Sequence, residues 1–301
     1  MTTEAMTLAP RKVQLTTRSG VEISRLIPHQ ALRAIGAWVF LDYYGPTDQS
    51  EAMSVGAHPH AGLQTVSWLF SGEIEHRDSL NSTQVIHPGE LNLMTSGSGI
   101  AHSELSLDSS AQLHGVQLWT ALPESARHQS PTFEHYSDLP TFSHESLTIK
   151  LFMGQLLGYT SPAFCFSELV GAEVSLAPHS HARLEINGEY EYGILLITGD
   201  LAINGSEVPE GHLHYLPTGG SAIEFTSIGG AQYIFLGGVP FTEKIVMWWN
   251  FIGRSHEEIV VMREDWNSSA SHIPIFDDRI NQRIPAPEMP HLNLTARSLQ
   301  R

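Results

Sequence analysis

The sequence predicts an all-β chain with two β-sandwich or barrel domains in tandem and one short helix near the C-terminus. Three observations carry this. Short apolar–polar alternating runs, separated by Gly and Pro turn signals, recur through both halves of the chain. A polar, proline-punctuated stretch interrupts them near the middle. Late in the chain the period changes from two to that of a helix.

From about Gly36 to Leu122 the runs are strand-like. "LQTVSWLFSGEIEHRDS" reads as two strands joined at Ser71-Gly72, and "STQVIHPGELNLMTSG" as two more turning at Pro88-Gly89. "LHGVQLWTAL" is a further strand over 113–122. Regular spacing of short strands argues for a sandwich or barrel. Residues 123–146 are the polar break, and within it we divide the chain into domains 1–135 and 136–301. Strand patterns then resume in "LTIKLFMG", "YEYGILLITGDLAING", "HLHYLPTG" and "AQYIFLGG". Their turns at Gly199-Asp200 and Pro209-Glu210-Gly211 follow the order of the first half, which suggests a diverged repeat. Ser255 and Glu258 form an N-terminal capping signal, and Ile259, Met262 and Trp266 make one apolar stripe, predicting a helix over 256–266. The last thirty residues hold four prolines and little periodicity, so they are expected to run over the surface.

Composition narrows the function. The 301 residues are 41% hydrophobic and 16% charged, a globular balance. A net charge of −16, with no basic run, opposes phosphate contact and argues against direct nucleic-acid binding. No stretch approaches the ~20 apolar residues of a membrane helix, and the N-terminus lacks a signal-peptide pattern, so a reducing cytoplasm is the expected setting. The single cysteine, Cys165, excludes an intramolecular disulfide and a thiolate cluster; its apolar setting reads as a buried, inert thiol.

Histidine is over-used, with 17 copies. His58 and His60 in "HPHAGLQTVSWLFSG" are two apart, and so are His102 and Glu104 in "PGELNLMTSGSGIAHSE". On extended strands each pair shares a face, so two such pairs on neighbouring strands can converge on one ion. Three imidazoles and a carboxylate suit Fe(II), Mn, Ni, Co or Zn, and the spacing does not choose among them. Ser98, Asp78 and assorted histidines lack the nucleophile elbow of a hydrolase, so ordinary structural roles are the better reading for them. Trp68 shares strand parity with His60 and is either a cavity wall or plain core.

"FLDYYGP", "HPHAGLQTVSWLFSGEIEHRDS", "PGELNLMTSGSGIAHSE" and "HGVQLW", in that order, resemble the successive signatures of the pirin family within the cupin superfamily. "GGVPFTEKIVMWWNF", followed by "SHEEI" and "DW", is similar to the ending of many bacterial members. The resemblance implies two cupin (double-stranded β-helix) barrels face to face, with iron held in the first by His58, His60, His102 and Glu104. It further implies either a dioxygenase that opens flavonols such as quercetin or a regulator that binds a protein partner. In the enzyme reading the substrate's 3-hydroxyl oxygen coordinates the ion, Glu104 takes its proton, and the electron-rich enolate reacts with dioxygen. In the regulator reading the metal's oxidation state alters a surface, and the acidic excess steers a basic partner. Many pirins carry glutamate in "GFETV" where this chain has Gln64 in "GLQTV"; losing that charge near the ion is expected to raise its reduction potential. Counting from the equivalent turns places Glu185, Asn187 and Glu224 at the second barrel's ligand positions. That site is expected to be degenerate, with His179, His181, His212 and His214 out of register.

Overall fold

The structure is a computed structural model; it describes residues 4–14, 22–46, 53–107, 112–268, 270–280 and 282–299. Among the described residues the all-β architecture follows the sequence pattern, with two barrels and one helix, His256–Asn267. Each barrel is a large antiparallel sheet curled against a four-stranded one. In the first, Thr132–Tyr136, Leu91–Thr95, Leu63–Ser71, His114–Ala121, Trp38–Tyr44, Glu22–Ile27 and Arg11–Gln14 lie side by side in that order. Facing them are Ser54–His60, Ile100–Ser106, Ile74–Asp78 and Thr83–Ile86. The second barrel repeats the plan, with Glu191–Gly199, Ala231–Gly238, Leu169–Leu176 and Leu147–Leu156 central in its large sheet.

Strand parity decides what each face meets. In the first barrel Leu41, Val66, Trp68, Leu93 and Leu118 point outward, into one buried layer with Phe152, Met153, Leu195, Ile234 and Leu236 of the second. The barrels thus pack large sheet on large sheet. Gly36, at φ +53°, sits where a Cβ would lie 2.8 Å from the Gly238 Cα, so the two backbones approach this closely only because Gly36 has no side chain. The second barrel's interior is filled by a separate apolar cluster that includes Leu184, Ile194, Phe225, Tyr233 and Phe235.

The polar break at 123–146 is not loop throughout. Thr132–Tyr136 pairs with Leu91–Thr95, and Thr141–His144 with Leu147–Leu156, as edge strands of the two large sheets. Their half-exposed side chains carry no clean apolar alternation, which hides such strands from periodicity. The chain also crosses between barrels at its ends. Met6–Leu8 pairs with Leu213–Leu216 of the second barrel's large sheet. The helix and tail reach back, packing Phe251, Ile259, Trp266 and Ile273 against Ala61 and Ala101 of the first. At the helix start Ser255 Oγ accepts from the Glu258 N–H at 3.3 Å, as the capping signal predicts. The Glu258 carboxylate turns instead to Arg127 and the Arg254 N–H.

Candidate functional site

His58 and His60 lie on Ser54–His60, and His102 and Glu104 on the adjacent Ile100–Ser106, with His102 directly opposite His58. Two-residue spacing keeps each pair on the inner face. A register shift between His102 and Glu104 adds one residue to the opposing strand at Gly56–Ala57, re-aiming that strand next to the cluster. All four side chains are buried and line one cavity of about 510 Å³ in the first barrel.

The three rings form a triangle, with centroids 5.1, 4.4 and 4.9 Å apart. One nitrogen of each lies within 4.8 Å of the others. Glu104 joins this group through His102, in a second set of close ligand atoms completed by His76. Its carboxylate touches Ser67 Oγ at 3.4 Å, a long and weak contact.

The protons can be placed from the partners. The Gly56 carbonyl can only accept, so His58 donates from Nδ1 at 2.9 Å and keeps a lone pair on Nε2. His60 Nε2 faces His102 Nε2 at 3.1 Å, while His60 Nδ1 is buried without a partner among the described residues. Burial holds the His58 ring at a pKa of about 4, and burial together with neighbouring rings holds His60 and His102 well below the ordinary value. Three neutral imidazoles packed nitrogen to nitrogen, one with an orphaned atom, fit a cation site better than a hydrogen-bonded core. Desolvation raises the Glu104 pKa, which makes its carboxylate a stronger base than one in water.

The cavity wall is aromatic. Phe40 and Trp119 stack at 3.9 Å and 11°, and Trp119 stands edge-on to His60 at 5.1 Å. Arg25 binds Asp42 through two 2.7 Å hydrogen bonds and lies 4.5 Å over the Phe40 ring. Tyr44 Oη, also in the wall, is buried with no partner among the described residues. Trp249 and the tail residues Gln282, Ile284, Pro285 and Pro287 complete the lining.

Other sequence candidates fall elsewhere. Trp68 turns away from the cavity and donates from Nε1 to Glu173 of the second barrel at 2.7 Å. Gln64 lies on the same outward face, bonded to Thr95, Thr120 and the Phe164 carbonyl, so it is no neighbour of the cluster and the expected effect on a reduction potential loses its basis. Ser98 is exposed. Cys165 is only partly buried, short of the buried thiol that its apolar setting suggests, and desolvation lifts the thiol pKa to about 11. In the second barrel Glu224 pairs with His181 and Arg183 on the outside, and His214 bonds Thr7 at 2.9 Å. Among the described residues, both groups able to hold a cation lie in the first barrel.

Sequence reasoning missed the Phe40–Trp119 stack, the tail and His76. Only His76 left a signal, since His76 and Asp78 are two apart in "EHRDS", on the strand that pairs with His102.

Comparison with known proteins bears on the same residues. The pirin family profile matches 20–120, and that of the pirin C-terminal cupin domain matches 171–271. The chain belongs to the pirin family. This pirin is 40% identical to a candidate quercetin 2,3-dioxygenase of Pseudomonas aeruginosa over 273 residues, 90% of this chain and 87% of that one. It is 32% identical to a pirin-like protein of Caulobacter vibrioides, over 89% and 94% of the two chains. A crystal structure of a quercetin 2,3-dioxygenase from Acinetobacter baumannii superposes with a TM-score of 0.92 at 36% identity, covering 97% of each chain.

Proposed function

We propose that this pirin is a mononuclear iron-dependent dioxygenase that opens flavonol-type substrates such as quercetin. The carrying observation is the trio of neutral, buried histidines beside a carboxylate in a cavity walled by stacked aromatic rings. His58, His60, His102 and Glu104 would hold the ion. The sulfur-free donor set suits Fe(II), Mn, Ni, Co and Zn alike, and iron is the choice that the pirin resemblance implies. When bound, such an ion supplies Lewis acidity toward a substrate oxygen.

The chain's own residues supply the rest. Phe40 and Trp119 offer a flat apolar face to a fused aromatic ring, and the cavity volume suits a ligand of that size. A Glu104 oxygen takes the proton of the 3-hydroxyl, for which its desolvated carboxylate is suited. Trp249 and the 282–287 tail restrict water at the mouth. Dioxygen is the second substrate.

The test is an oxygen electrode with iron-loaded protein and quercetin, following loss of flavonol absorbance against free iron. Uptake that disappears in His60→Ala supports the reading. No uptake above free iron refutes it. Elemental analysis of protein as purified identifies the resident metal.

A further inference from the structure

His102 uses both ring nitrogens. Nε2 faces His60 inside the triangle, and Nδ1 lies 3.3 Å from Nδ1 of His76. His76 Nε2 in turn lies 3.1 Å from Asp78 Oδ2. All three side chains are buried, and strand pairing sets them in line, with His102 opposite Asp78 and Glu104 opposite His76. Both outer members are braced. Phe133 stacks on the His76 ring at 4.2 Å and 11°. Asp78 Oδ1 accepts the backbone N–H groups of Leu80 and Ser82 at 2.9 and 3.0 Å, which leaves Oδ2 for His76.

We propose that Asp78 and His76 are positioning residues that fix the orientation and tautomer of His102. A carboxylate only accepts, so His76 carries its proton on Nε2 and offers a lone pair at Nδ1. His102 therefore donates from Nδ1, and its Nε2 lone pair is aimed into the triangle. A ligating histidine is held in this way when its other nitrogen has a fixed acceptor. Here the acceptor is a second imidazole, itself oriented by a buried carboxylate. The proposal rests on the metal reading above for its purpose, though not for its geometry.

Asp78→Asn tests the chain by inverting it. The amide oxygen can keep the Leu80 and Ser82 bonds, so the amide nitrogen faces His76 Nε2 as a donor. His76 must then carry its proton on Nδ1 and donate it to His102. The His102 proton moves to Nε2, pointing into the metal position. Ring 15N NMR of metal-free protein reads this directly. The expected result is a His102 Nδ1–H tautomer in the wild type and Nε2–H in Asp78→Asn. Competition with a chelator for Co(II) should show affinity lower by roughly 10–100-fold in Asp78→Asn. His76→Phe keeps the Phe133 stack, leaves His102 Nδ1 without an acceptor, and should weaken Co(II) binding over the same range. Circular dichroism of both metal-free variants controls for folding.

A His102 Nε2–H tautomer in the wild type overturns the proposal, as does equal Co(II) affinity in all three proteins. Two Co(II) ions per chain, the second lost in His76→Phe, would also overturn it, because His102 Nδ1 would then be a ligand itself. A wild type that binds no metal, yet shows the tautomer inversion, refutes the metal reading and leaves the relay standing.

Discussion

His114 offers a test of how burial governs histidine chemistry in this fold, away from the candidate centre. Its ring packs on Tyr43 and Phe70, with centroids 5.4 and 4.9 Å away, and Nε2 meets Tyr43 Oη at 2.9 Å. Burial lowers its pKa from 6.5 to about 4. The folded chain thus refuses a proton that the unfolded chain takes. The stability contribution is intact above about pH 6.5 and falls as pH drops toward 4. At pH 5 the unfolded imidazole is nearly all charged and the folded one nearly all neutral, a penalty of about 2 kcal/mol at roughly 1.4 kcal/mol per pKa unit. His114→Phe keeps the aromatic packing and cannot titrate. Near pH 7.5 it should be less stable by about 1 kcal/mol, the worth of the lost hydrogen bond. Urea unfolding of both metal-free proteins at pH 7.5 and 5.0 should then show the variant gaining about 2 kcal/mol on the wild type as pH falls. The triangle histidines titrate in both proteins and cancel in the difference. A gap that stays constant to within about 0.5 kcal/mol would refute the burial argument.

Gly56→Ala would place a Cβ 2.0 Å from the Gln282 carbonyl oxygen, so the tail, held by Ile284 N–H to the Ala57 carbonyl at 2.8 Å, must lift from the cavity mouth. Tryptic cleavage after Arg279 or Arg283 should accelerate by roughly tenfold or more, and an unchanged digestion pattern would contradict the packing. Trp68→Phe removes the 2.7 Å bond to the Glu173 carboxylate across the barrel contact. It should cost about 2 kcal/mol in denaturant unfolding while leaving metal affinity untouched. Ser255→Ala deletes the helix cap and should cost about 1 kcal/mol; no loss of thermal stability would argue against that helix start.

The sequence was most legible where a local rule acts alone. The turns at Gly72, Gly89, Gly199 and Gly211, each carrying the chain from one sheet of its barrel to the other, were readable because each turn glycine adopts a positive φ between alternating runs. Two-residue spacing brought His58, His60, His102 and Glu104 to one cavity for the same reason. Parity failed where the chain turns. Ala61-Gly62 follows His60, with Gly62 at φ +77°, so counting in twos from His60 to Trp68 crosses a reset. The wall position belongs to Trp119, on a strand whose pairing with Leu63–Ser71 no local pattern reveals. The His76–His102 contact and the tail over Gly56 need long-range pairing, which a single sequence does not encode locally.

The two barrels share a plan and divide its costs. A polar interior is expensive: the His60 Nδ1 and Tyr44 Oη atoms are buried without partners, and Glu104 has one long contact. Each such group costs about 1–3 kcal/mol unless a ligand completes it. The second barrel carries less of this load: among its described interior residues one such atom, Tyr233 Oη, is orphaned. Phe225, Tyr233 and Phe235 fill the space that a site would need; His181 pairs with Glu224 on the outside, and His214 is buried beside Thr7 at the sheet edge. Its large sheet also presents Phe152, Leu195 and Leu236 to the outer face of the first barrel. One interior is thus filled with apolar side chains while the other stays open around polar ones. The exchange of ends fits this division. Met6–Leu8 ties the start of the chain to the filled barrel, and the tail closes the open one. Cut at residue 136, the first barrel would lose the tail over its cavity and the second would lose the Met6–Leu8 edge strand of its large sheet.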